Sequence, residues 1–281
     1  MTDRQSFRVT IEGGVARVVL DHGDINLLDG AMFGELAHLA GELANDDAVR
    51  VVILSSANPD FFIAHFDVAL ILQFPTDRDP DAADRPNPFH VMCETFRTMP
   101  KATIAVIEGR VGGGGSELAL SCDMRFALRG RAVFNQPEVA LGILPGGSGT
   151  VRLPRLIGRS RALEVVLGCD DVDADLAERW GWVNRTLDES ELWPHVVRLA
   201  ERIAAFPPHA VAAAKASVLR ADLQVAEQLH AESDAFQATL GGPGTREAMQ
   251  RFLAMGGQTP EGEARLGVLA GEVAAAGGDR A

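Results

Sequence analysis

At 281 residues, 47% hydrophobic and 23% charged, the chain is long enough and apolar enough to bury a full core, which excludes a disordered or fibrous polymer. A formal net charge of −13, with Lys101 and Lys215 the only lysines, argues against nucleic acid or an anionic membrane as the main partner. Cys93, Cys122 and Cys169 are too widely spaced for a disulfide framework or a CxxC metal pair. With no apolar leader and no run of transmembrane length, a soluble cytoplasmic protein is expected.

Taken in order, Phe7–Ile11 and Val15–Leu20 are β-branched runs joined through Glu12-Gly13-Gly14, which predicts a hairpin. Asp29 is placed to cap a helix carrying Met32, Leu36, Leu39 and Leu43 on one face, and Val49–Leu54 reads as a buried strand. A turn and the short apolar run FFIAHFDV lead into a helix from about Asp67. Residues Pro75 to Pro88 are rich in Asp, Pro and Arg without apolar period and read as a surface loop. Helix Phe89–Thr98, strand Thr103–Ile107, the glycine run Gly112–Gly115, helix Ser116–Cys122, and strands Met124–Ala127 and Ala132–Asn135 follow.

Beyond Pro145 the pattern becomes helical: Arg161–Gly168, Asp173–Arg179, Glu191–Phe206, His209–Ala221, Leu223–Leu240 and Thr245–Ala254, with Trp182-Val183-Asn184 as a short extended piece. The chain is therefore expected to hold an α/β core over residues 1–190, a helical region over 191–255, and an Ala/Gly/Glu-rich tail over 256–281 that frays.

Chemistry concentrates between Gly109 and Arg152. Glycines between a strand and a helix let backbone N–H groups approach a ligand, where the helix dipole favours negative charge. The run lacks both GxGxxG and GK[ST], so it is not a nucleotide signature. Glu117 follows it, and Glu138 follows Gln136-Pro137. Each reads either as a helix-surface acid or as a carboxylate aimed at a ligand, and spacing does not decide. Two carboxylates in one dry pocket would be driven apart in pKa and could serve as base and acid. His65 has no assignable nucleophile partner and reads as a positional or packing residue rather than a catalytic one; no cluster has metal-ligand spacing, so no metal is expected.

Three segments in this order, FFIAHFDV, PKATIAVIEGRVGGGGSELALSCD and FNQPEVALGILPGGSGTVRLPRLIG, resemble the crotonase superfamily of enoyl-CoA hydratases and isomerases. The similarity runs from the hairpin to TREAMQRFL. It implies a spiral of ββα units with a C-terminal helical trimerisation region, a homotrimer or homohexamer, and an acyl-CoA thioester as ligand, with coenzyme A as part of the substrate and no other cofactor. By motif, the backbone N–H groups of Phe66 and Gly114 would form an oxyanion hole, Glu117 and Glu138 would be the hydratase acids, and Ala64, His65, Asp67, Gly113, Pro137, Leu144 and Gly146 would line the substrate. Retention of both glutamates favours reversible water addition over isomerisation, decarboxylation or thioester hydrolysis.

His65 departs from the resemblance, standing where the family usually carries glycine, and its Cβ restricts the loop. A non-catalytic acyl-CoA-binding protein is the alternative that this substitution raises. Phe66 replaces the common alanine. The few lysines leave arginines such as Arg78 and Arg85 as candidates for the CoA phosphates.

Overall fold

The computed structural model describes residues 4–76 and 86–278. The strands are β1 (Phe7–Glu12), β2 (Val15–Leu20), β3 (Val51–Ser56), β4 (Phe61–Ile63), β5 (Ala102–Ile107), β6 (Arg110–Gly112), β7 (Met124–Leu128), β8 (Val133–Asn135), β9 (Val172–Asp173) and β10 (Arg185–Leu187). The helices are α1 (Gly30–Asn45), α2 (Val68–Ile71), α3 (Pro88–Thr98), α4 (Gly113–Leu120), α5 (Gly149–Ile157), α6 (Arg159–Gly168), α7 (Ala174–Trp180), α8 (Glu189–Ala204), α9 (Pro208–Leu219), α10 (Val225–Leu240), α11 (Thr245–Ala254), α12 (Pro260–Glu263) and α13 (Leu266–Gly278). This is the α/β architecture expected, with every element after β10 helical.

The larger sheet has the order β1-β2-β3-β5-β7-β10. Only the β1–β2 hairpin is antiparallel; β2, β3, β5, β7 and β10 run parallel. The central strands β3 and β5 are covered on both faces and are buried almost without a break rather than alternating. Val52 and Leu54 face one core with Met32, Leu36 and Leu39 of α1, while Val51 and Ile53 face another with Leu192, Val196 and Ala200 of α8. The α1 start is fixed as expected, the Asp29 carboxylate accepting from the Met32 N–H at 2.9 Å.

A smaller sheet, β4-β6-β8-β9, positions the chemistry. Strands β4, β6 and β8 are parallel neighbours, so their carboxyl ends lie side by side. From those ends leave the segment holding His65 and Phe66, helix α4 with Gly114 and Glu117, and the 3₁₀ turn Glu138–Leu141.

Several expectations need correction. Gly112–Gly115 is not a free loop: Gly112 ends β6, and the next three glycines are the first turn of α4, every residue of which is buried. The extended piece predicted at Trp182–Asn184 is displaced to β10, because the Trp182 ring is drawn into the core while Asn184 bonds the Arg125 backbone. The tail does not fray over 256–278: it forms α12 and α13, with Leu266, Leu269, Ala270 and Val273 buried at a helical spacing. Most of the loop expected at Pro75–Pro88, with Arg78 and Arg85, lies outside the described residues.

Candidate active site

The glycine run is explained by packing. A Cβ on Gly115 would lie 2.6 Å from the Ile63 Cβ, so only glycine lets α4 settle on β4. A Cβ on Gly114 would lie 3.5 Å from the Phe66 nitrogen, so the two residues whose N–H groups the resemblance singles out are neighbours. The Gly114 N–H is in the first turn of α4 and has no acceptor within its helix. On the facing segment, Leu28 donates its N–H to His65 O at 3.0 Å and accepts from the Asp67 N–H at 3.1 Å. The Phe66 N–H, between these two bonds, meets no acceptor among the described residues.

Both glutamates lie against the same cavity, a space of about 440 Å³ also lined by His65, Phe66, Gly114, Pro137, Leu144 and Gly146. The remaining predicted contacts stand differently. Gly113 lies outside that wall but abuts it, since a Cβ there would touch the Glu138 Oε1 and the His65 Cβ. Ala64 packs beneath Gly112, and Asp67 turns away to accept from the Ala69 N–H at the start of α2. Apart from Asn87, the rest of the wall is largely apolar and aromatic. Phe33 stacks on Phe89 with centroids 5.8 Å apart, Phe66 meets both edge-on, and Phe74 and Phe236 continue the surface.

Glu117 is only 3% exposed, and its Oε1 accepts from the Gly147 and Gly149 N–H groups at 2.8 and 2.7 Å. These amides converge because the intervening Ser148 adopts φ 102°, a left-handed conformation that is costly for a non-glycine residue. The Ser148 N–H turns the opposite way, to Glu232 Oε1 at 2.6 Å. Glu232 also accepts from the Thr150 N–H and from His90, so a buried carboxylate on α10 caps α5. Burial, then the charges of Glu138 and Glu232, push the Glu117 carboxyl well above the usual range, while the two glycine amides act the other way.

Glu138 is 8% exposed, and burial raises its carboxyl to about 7. The Gln136 amide, turned so that both groups are satisfied, donates to its two oxygens at 3.2 and 3.0 Å. His65 tempers the rise by Coulombic attraction. His65 itself takes an ordinary backbone conformation, as it is absent from the residues with positive φ, so its Cβ does not force a rearranged loop. Its Nε2 lies 2.9 Å from Glu263 Oε1 and its Nδ1 is 2.7 Å from Phe66 O. Burial opposes its charge, yet the Glu263 carboxylate and these hydrogen bonds raise it to about 9. Glu263 in turn is held below the usual carboxylate range, burial being outweighed by His65.

Sequence reasoning missed Gln136, Gly147, Gly149, Glu232 and Glu263. The first three lie inside the quoted motifs, in FNQPE and PGGSG, and were readable there as neighbours of the acids. Glu232 and Glu263 arrive from 82 and more residues away, and no local pattern marks them.

The arrangement brings Phe66, Gly114 and two buried acids to the wall of one mostly apolar cavity. A sequence model of the enoyl-CoA hydratase/isomerase family matches residues 10–258. The short-chain-enoyl-CoA hydratase of Clostridium acetobutylicum is 33% identical, over 86% of this chain and 92% of its own length. The crotonyl-CoA hydratase of Syntrophomonas wolfei is 34% identical, over 82% and 87%. A proposed enoyl-CoA hydratase from Streptomyces avermitilis superposes with a TM-score of 0.87 at 38% identity, over 96% of this chain and 99% of its own.

Proposed function

The chain belongs to the enoyl-CoA hydratase/isomerase family and is an enzyme of the hydratase type; on that premise we propose that Glu117 and Glu138 carry the reversible addition of water to a 2-enoyl-CoA. The observation that carries this reading is the convergence of both acids on one cavity beside the Phe66 and Gly114 N–H groups.

In this mechanism the thioester oxygen lies against those two amides, which stabilise the negative charge as it develops. Burial raises both acids, and the charge of Glu138 raises Glu117 further, so a proton is held readily in this pocket. Hydration starts from ionised Glu117 and protonated Glu138, and the Gly147 and Gly149 N–H groups stabilise the ionised form of Glu117. Glu117 then takes a proton from water as its oxygen bonds to C3, and the C2–C3 π electrons pass to the thioester oxygen as an enolate. Collapse of the enolate forms the C2–H bond with the proton from Glu138. Dehydration reverses these steps. Coenzyme A takes part only as a portion of the substrate, and the phenylalanine-lined cavity suits its apolar acyl group.

A trimer or hexamer belongs to the same proposal. The sequence of α9, PHAVAAAKASVL, is largely apolar yet buries none of its residues, and Val218 and Leu223 are 72% and 73% exposed. Among the described residues no helix is long and apolar enough to cross a membrane. Cytoplasmic placement is proposed with it, on the net charge and the free buried cysteines.

The test is a panel of 2-enoyl-CoA thioesters, followed by loss of absorbance at the conjugated thioester band. Hydration of at least one member supports the reading. Turnover of 3-enoyl-CoA to the conjugated isomer, with no hydration of any 2-enoyl-CoA, would replace it with isomerisation.

A further inference from the structure

The C-terminal segment reaches back to the loop that carries Phe66 through polar contacts, of which the His65–Glu263 pair is buried. Glu263 Oε1 meets His65 Nε2 at 2.9 Å and also accepts from the Gln258 N–H at 2.7 Å. The Gln258 side chain spans the loop on the other side. Its Oε1 accepts from the Val68 and Ala69 N–H groups at 3.1 and 3.3 Å, and its Nε2 donates to Asp67 Oδ1 at 2.9 Å. Gln258 sits at φ 64°, a left-handed conformation held only where its surroundings fix it. The His65 ring packs edge-on against Phe252 of α11 with centroids 5.6 Å apart. Both side chains of the pair are nearly inaccessible, at 4% and 1%, and the second Glu263 oxygen has no hydrogen-bond partner among the described residues.

We propose that Gln258, Glu263 and His65 form a strut by which the C-terminal segment sets the orientation of the Phe66 N–H relative to that of Gly114. Glu263 and Gln258 are positioning residues, and His65 is the junction. Its Nδ1–H donates to Phe66 O while its own carbonyl is held by Leu28, so the two peptide planes flanking the Phe66 α-carbon are each pinned. A glycine at position 65 would leave the loop free of the C-terminal segment on this side and Glu263 buried without its partner. The inference rests on the oxyanion reading of Phe66. It adds that residue 65 and the tail contribute to catalysis through geometry.

The experiment uses the full chain carrying Glu263→Gln, with crotonyl-CoA as substrate and hydrogen exchange of the 64–69 segment as a second readout. Because the Phe66 donor acts on charge present in the transition state, kcat is expected to fall about 10- to 100-fold with KM unchanged. Exchange of 64–69 is expected to quicken in the same variant, and Gln258→Ala to shift both in the same direction. Where the single change fails to fold, the double variant His65→Gly/Glu263→Gln removes both charges and carries the same two expectations. Wild-type kcat and wild-type exchange in a folded variant, or a loss confined to KM, would overturn the strut. If the unmodified protein hydrates no 2-enoyl-CoA, the hydratase reading falls by itself. Exchange then decides the strut, and unchanged protection of 64–69 sinks it.

Discussion

Burial opposes charge on both Glu138 and His65, but it prevails only at Glu138, because the Glu263 carboxylate overcomes it at His65. Burial lifts Glu138 from its ordinary 4.5 to about 7, so between those values the folded protein holds a proton that the unfolded chain has lost. Its contribution to stability is present below 4.5 and disappears as pH rises through about 7. His65 is raised from 6.5 to about 9, so its contribution is full below 6.5 and disappears as pH rises through about 9. The melting temperature is therefore expected to fall in two stages as pH rises, the first between about 4.5 and 7 and the second between 6.5 and about 9. Glu138→Gln should flatten the first stage and move the second to somewhat lower pH, since the Glu138 charge helps to raise His65, as read by calorimetry at closely spaced pH values. An unchanged first stage would show that Glu138 does not carry the displaced proton.

At the scale of elements, the site depends on how α4 and α5 are seated. Gly115→Ala puts a methyl 2.6 Å from Ile63, an overpacking expected to cost about 1–3 kcal/mol. It should also push α4 off β4 and separate the two donors, lowering kcat in the variant that still folds. Glu232→Gln keeps the shape of the α5 cap and removes its charge from the Ser148 and Thr150 amides. Loss of charged hydrogen bonds predicts a stability decrease of about 1.5–3 kcal/mol, measurable by urea unfolding. It should also lower the Glu117 and Glu138 carboxyls, since Glu232 raises both. What the sequence revealed at this scale was whatever a local pattern encodes. The hairpin, the Asp29 cap and the face Met32, Leu36, Leu39 and Leu43 were readable because partner residues lie within a few positions. Strands β4 and β6 are three residues each, too short to show a period, and the glycine run hid both the end of β6 and the first turn of α4. Helix α13 was masked by its alanines and glycines, although Leu266, Leu269, Ala270 and Val273 carried the spacing of a buried face.

Across the whole molecule, three parallel strand ends bring together residues that lie 72 positions apart in the chain, from Phe66 to Glu138. Motif order singled out Phe66, Gly114, Glu117 and Glu138, and all four line one cavity. Their environment was not, because Glu232, Gln258 and Glu263 come from helices and turns that pack back over the core only once it has formed. The apolar, uncovered α9 predicts self-association, and light scattering should return a trimer or a multiple of it; a monomer at micromolar concentration would contradict the proposed assembly. The central claim is that Glu117 and Glu138 act as one acid–base pair on a bound 2-enoyl thioester. Its most direct measurement is kcat for hydration of the best member of the 2-enoyl-CoA panel in Glu117→Gln and Glu138→Gln. Each should lose about 10²- to 10⁴-fold with KM little changed; wild-type turnover in either variant would contradict the two-carboxylate mechanism.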